Sequence, residues 1–162
     1  MQGSTSALYS EQQQFSPRLL AFILFSTGIA GIGAFAATRE SSAAGLGLMI
    51  VLAAMAVLLI VFRTFNLTTT IESDGVRVKG MWFVDRLIRF EDIASAEMRV
   101  YQPLREYGGW GYRIGPAGKA YNAQGNEGLQ LVLKDGGRVL IGSQRAAELA
   151  SLVANELQRL GR

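Results

Sequence analysis

The sequence predicts a membrane-anchored chain in which a two-helix transmembrane hairpin precedes a mainly-β barrel or sandwich. That second part is expected to hold seven to eight antiparallel strands capped by a C-terminal α-helix. Three observations carry this reading. Ser41 to Phe62 is an apolar run without a single charge, and about 20 such residues rising 1.5 Å each cross a hydrocarbon layer roughly 30 Å thick. From Asn66 onward apolar residues recur at every second position, the period of half-buried strands. After Ser143 the period returns to that of a helix with one apolar face.

The chain has 162 residues, 49% of them hydrophobic, and a formal net charge of +3. One membrane element and one compact domain of about 100 residues fit that length. The positive excess is mild and contains no Lys/Arg run, so nucleic acid is not an expected partner. It suits a domain held beside an anionic cytoplasmic leaflet. Cys and His are both absent, which excludes disulfide frameworks, thiolate zinc sites and Ser–His or Cys–His nucleophile pairs within one chain. An all-carboxylate metal site stays open, with nothing in the sequence to support one. No cofactor is expected.

Taken in order, residues 1–17 are polar, rich in Ser and Gln, and without sustained periodicity, which predicts a mobile tail. Residues 18–64 form the hairpin, with spans over about 19–38 and 42–62. The first span is bracketed by Arg18 and Arg39, and its small residues Ala30, Ala34, Gly33 and Ala37 stand in pairs four apart. Such pairs let helix backbones approach closely in lipid. A competing reading is a cleaved signal peptide, because Ala34-Phe35-Ala36 resembles a small-x-small cleavage site. The single leading positive charge, Arg18, and the second span that follows at once favour the hairpin. Arg18, Arg63, Arg77 and Lys79 outweigh Arg39 in the connector, placing both termini in the cytoplasm of a multi-pass cell-membrane protein.

Residues 66–162 form the β domain. Leu67, Thr69 and Ile71 alternate with polar neighbours, Ser73-Asp74-Gly75 turns the chain, and Val76 to Lys79 completes a hairpin. Arg86–Phe90 and Ala94–Tyr101 follow as strands, then a loop over Gln102–Gly109. Trp110–Gly115, Lys119–Ala123, Gly128–Lys134 and Arg138–Gly142 are further strands, separated by Gly-bearing turns. Ser143 is a suitable N-cap for a helix whose apolar stripe is Leu149, Leu152, Val153, Leu157 and Leu160.

Two stretches carry a family likeness: RFEDIASAEMRVYQPLREYGGWGYR (residues 89–113) and GLQLVLKDGGRVLIGSQRAAELASLVANEL (residues 128–157). The first reads as strand, E-D-I bend, strand and a Gly/Trp-bearing lead into the second sheet; the second as a closing hairpin with a Gly-Ser step into the capping helix. In order and spacing, Asn66 to Leu160 resembles the bacterial pleckstrin-homology-like domains, a group in which a preceding membrane hairpin is common. The resemblance implies a fold and, only distantly, a role. The turn Ser73-Asp74-Gly75 is too short and too acidic to supply the basic inositol-phosphate pocket of eukaryotic relatives.

No catalytic pattern emerges, and the chain is expected not to be an enzyme. Gly109 to Gly115 is spaced G-x-G-x-x-x-G with no helix following, which fails as a phosphate loop. Glu91 and Asp92 are adjacent on a strand-like segment and point to opposite faces, so they do not converge. The candidate contact residues are Arg77, Lys79 and Trp82 near the membrane, with Arg99, Arg105, Trp110, Tyr112 and Arg113 as an aromatic-basic set. The expected role is a membrane-anchored interaction module that binds a membrane or cytoplasmic protein, or a second copy of itself. The alternative is a sensor of lipid headgroups or a small ligand at the membrane surface.

Overall fold

The computed structural model describes residues 8–38, 44–80 and 83–161. The chain divides into two compact units, one comprising Phe15–Phe65 and the other the segment ending at Gln14 together with everything from Asn66.

The first unit is a pair of helices, α1 (Pro17–Thr38) and α2 (Ala44–Thr64). Within α2, Gly45–Thr64 is long and apolar enough to cross a membrane, with a mean hydropathy of 2.9 over an 18-residue window; Leu20–Ala36 is a shorter apolar stretch. Hydroxyls inside the helices return to their own backbone, Ser26 donating to the Phe22 carbonyl and Thr27 to that of Ile23, both at 2.8 Å. Neither of these two hydroxyls is thus left unpaired on an apolar surface. The close approach falls at Gly31, where a Cβ would sit 2.7 Å from a Val51 methyl. Of the small residues expected to make it, Ala30 is exposed and Gly33 has nothing within 4 Å of its Cβ position. Where the chain leaves and rejoins this unit, Phe15 stacks on Phe65 with ring centroids 4.0 Å apart.

The second unit is mixed α/β. One sheet runs β1 (Tyr9–Gln14), β2 (Asn66–Ile71), β3 (Gly75–Gly80), β4 (Val84–Arg89) in that spatial order, all antiparallel. A 3₁₀ turn at Phe90–Asp92 leads to β5 (Ile93–Val100). Then come a short helix, α3 (Pro103–Tyr107), and strands β6 (Gly111–Gly115), β7 (Gly118–Asn122), β8 (Glu127–Leu133) and β9 (Arg138–Gly142). These strands form a five-stranded sheet in the order β5-β8-β9-β7-β6. The C-terminal helix α4 (Ala146–Arg159) buries Leu149, Val153 and Leu157. Leu67, Ile71, Val76 and Val78 on one sheet, and Leu129, Leu131, Leu140 and Ile141 on the other, are fully buried. Each such side chain contributes about 1.5–3 kcal/mol.

Three expectations are corrected. The polar tail expected over residues 1–17 contains a strand, β1, whose inward positions are Tyr9, Glu11 and Gln13. The loop expected after Gln102 holds α3, started by Pro103 at its first turn and closed by Gly108 in the left-handed region at φ 70°. The strands are not all antiparallel, since β7 runs parallel to β9, pairing Lys119 with Val139 and Tyr121 with Ile141. Gly118 permits that pairing: at φ 110° a Cβ there would strike the Arg138 carbonyl.

Polar bonds fasten β1 to the start of α4. The Glu11 carboxylate accepts from the Tyr9 and Ser143 hydroxyls, each at 2.5 Å, from the Gln144 backbone at 2.8 Å and from the Gln13 amide at 3.0 Å. The Gln13 amide also donates to the Gly142 carbonyl at 2.7 Å, and the Arg145 guanidinium lies 4.6 Å above the Tyr9 ring. A buried carboxylate is tolerated because donors surround it.

Burial, reinforced by the bond to Glu11, pushes the Tyr9 hydroxyl from its ordinary 10.0 up to about 12, and burial does the same for Tyr101. Both are neutral in the folded chain and ionise more easily once unfolded. Their contribution is therefore complete below about pH 10 and is lost as pH rises through about 12. Melting of the detergent-solubilised chain is expected to be unaffected by these two groups up to about pH 10 and to weaken between 10 and 12, less steeply in Tyr9→Phe. A Tyr9→Phe profile identical to that of the unsubstituted chain would contradict this.

Candidate functional site

The residues singled out from the sequence do not form one site. Arg77 on β3 bonds Glu72 at 2.6 Å and Asp85 at 2.9 Å, and Lys79 lies 3.5 Å from Asp85. The Arg77 hydrogen bond holds the Asp85 carboxyl below its usual range. Two cations and two carboxylates thus cancel where a basic rim was expected. Trp82 falls outside the described residues.

On the other sheet Arg99 bonds Glu106 at 2.6 Å and Gln130 at 2.8 Å, tying β5 to α3 and β8. The Trp110 indole donates to the Gly125 carbonyl at 2.9 Å, which fixes the turn between β7 and β8. Tyr112 stacks on Tyr121 at 5.1 Å, and Arg113 donates to the Trp110 carbonyl at 3.1 Å. Arg105 is exposed on α3. Most of this aromatic-basic set is occupied in holding the local structure together.

The fold instead assembles a cleft of about 260 Å³ between the edge strand β4 of one sheet and the β6–β7 hairpin and β8–β9 turn of the other. Arg86, Lys119 and Arg138 line it with Ile114, Tyr121 and the turn carboxylate Asp135. All three cations are exposed. Among the described residues none of the three makes an ion pair or a side-chain hydrogen bond. Asp135 accepts from the Gly137 N–H at 2.8 Å and so shapes its own turn. Burial raises the Tyr121 hydroxyl, Tyr112 adds to that, and the Arg86 charge opposes both. Chemically, the cleft offers positive charge beside an apolar wall.

None of these three cations is among the candidate contact residues read from the sequence. They stand on three separate elements, and no local spacing links them. Among the described residues no group of three potential metal ligands occurs. No family model, no curated protein and no solved structure matches the chain.

Proposed function

We propose that the chain is a non-enzymatic, membrane-anchored interaction module. In this reading α1 and α2 cross the cell membrane as a hairpin, and the two-sheet unit is a pleckstrin-homology-like domain at the cytoplasmic face. It binds a protein partner or a second copy of the chain.

One observation carries the anchoring: Gln14 and Asn66 are register partners in neighbouring strands. Everything from Phe15 to Phe65 departs from one point of a sheet and returns to it. A domain on one side of a bilayer can be joined that way only by an even number of crossings. If Gly45–Thr64 crosses, the chain crosses once more, and Leu20–Ala36 is the stretch to do it. Its 17 residues lie at the short end of observed spans, about 17–25 residues. The same pairing argues against cleavage after Ala36, which would sever β1 from the strand beside it. Phe83, 72% exposed between β3 and β4, is an aromatic side chain of the kind that settles at a bilayer interface. Support for a contact role comes from Met98 and Val100 on the edge strand β5 and Leu104 on α3, all exposed apolar side chains.

The chain lacks Cys, so single substitutions report topology cleanly. In intact cells an impermeant maleimide is expected to label Ser42→Cys, and to label Gln12→Cys and Gln158→Cys only after lysis. Opposite accessibility of positions 12 and 158, or recovery of the full chain from the aqueous fraction without detergent, would overturn the reading.

A further inference from the structure

We propose that the cleft between β4 and the β6–β7 hairpin is a binding site for a small organic anion, a phosphate or carboxylate carrying an apolar portion. This goes beyond the anchoring module and does not depend on it.

The charge balance points there. Elsewhere among the described residues of this unit Arg77, Lys79, Arg89, Arg99, Arg145 and Arg159 each have a carboxylate within 3.5 Å, while Arg105, Arg113 and Lys134 have no ion pair but are not gathered in one depression. The cleft instead gathers Arg86, Lys119 and Arg138 around one carboxylate, Asp135, whose Oδ1 already holds the Gly137 N–H. A depression lined by one sign of charge with apolar walls focuses the field and draws in the opposite charge. Arginine adds bidentate geometry matched to phosphate and carboxylate.

The wall is equally specific. Ile114 is 71% exposed although it lies on a strand, and Tyr121 also lines the cleft, with its ring stacked on Tyr112. A volume of about 260 Å³ is below the roughly 300–1,000 Å³ of drug-sized sites, which favours a short chain on a charged head. The surroundings are rigid: Gly115 pairs with Gly118, and the Gly118 backbone lies against the Arg138 carbonyl. Lys119 and Arg138 are thereby presented from backbone that does not need to rearrange.

The test uses the full-length chain in uncharged detergent, with hexyl phosphate, inorganic phosphate and hexanol titrated by calorimetry. Hexyl phosphate is expected to bind saturably and at least about tenfold tighter than inorganic phosphate, because the chain adds apolar burial. Hexanol is expected not to bind. Combined Arg86→Gln, Lys119→Gln and Arg138→Gln is expected to weaken hexyl phosphate about 100-fold with an unchanged melting temperature, since each charged bond contributes several-fold. Arg105→Gln with Arg159→Gln, cations on α3 and α4 outside the cleft, is expected to stay within about twofold. No saturable binding of hexyl phosphate at millimolar concentration, or equal loss in the two variants, would overturn the proposal.

The source of the anion is read in nanodiscs. Competition with hexyl phosphate by phosphatidylglycerol discs, and not by phosphatidylcholine discs, assigns the site to a lipid headgroup. Equal affinity in both assigns it to a soluble anion.

Discussion

Excision of residues 15–65, with Gln14 joined to Asn66 through an Asn-Gly turn, is expected to give a water-soluble, fully folded two-sheet domain. Deletion of everything up to residue 65 is not. Gln14 and Asn66 are paired at the end of an antiparallel ladder, and two residues in a type I′ turn close such a ladder with the right twist. The shorter chain lacks β1 and with it the buried Tyr9, Glu11 and Gln13, 4%, 7% and 2% exposed. Its β2 becomes a bare edge, open to pairing with other chains. The Ser143 hydroxyl and Gln144 N–H also lose their carboxylate. Small domains are stable by only about 5–15 kcal/mol, so losing a strand and its buried bonds removes much of that margin. Gel filtration and thermal melts of the two variants decide the matter; equal melting temperatures would show that β1 is dispensable.

The second large effect is expected from Glu11→Ala. Four donors converge on this carboxylate from β1 and the start of α4. Alanine takes this acceptor from the buried Tyr9 and Ser143 hydroxyls and the part-buried Gln144 N–H, leaves the Gln13 amide only the Gly142 carbonyl, and opens a cavity, a loss of about 3–5 kcal/mol. For a domain of about 100 residues that corresponds to a fall of at least about 12 °C in Tm. Gln12→Ala is the matched control, on the exposed side of the same strand, and is expected to stay within about 0.5 kcal/mol. Melting of the full-length variants measures both, and a Glu11→Ala chain as stable as Gln12→Ala would remove the clamp from this account.

The parts of the fold legible in the sequence are those written in local periodicity. The β2–β3 hairpin alternates around Ser73-Asp74-Gly75, β8 and β9 flank Asp135-Gly136-Gly137, and α4 repeats its apolar residues at helical spacing. What stayed hidden depends on partners far along the chain. The inward face of β1 is Tyr, Glu and Gln, which reads as solvent-exposed until Ser143, 132 residues from Glu11, supplies a donor. The five residues of α3 are too few to show a period, leaving Pro103 and Gly108 as the only punctuation. A parallel β7–β9 pair leaves no turn signal, because β8 intervenes in the chain. The cleft was illegible for the same reason: Arg86, Lys119 and Arg138 become neighbours only when β4 of one sheet meets β7 and β9 of the other. Conversely, Arg77 and Lys79 looked basic because Glu72 and Asp85 are brought to them by strand register.

The order of synthesis gives the clamp a kinetic meaning. Tyr9–Gln14 emerges ahead of both helices, yet its fastening groups at Gly142, Ser143 and Gln144 are translated near the close of the two-sheet unit. The opening strand is therefore the last to be secured, and until then only its ladder with β2 retains it. The two-sheet unit is completed at β1, the earliest translated of its strands.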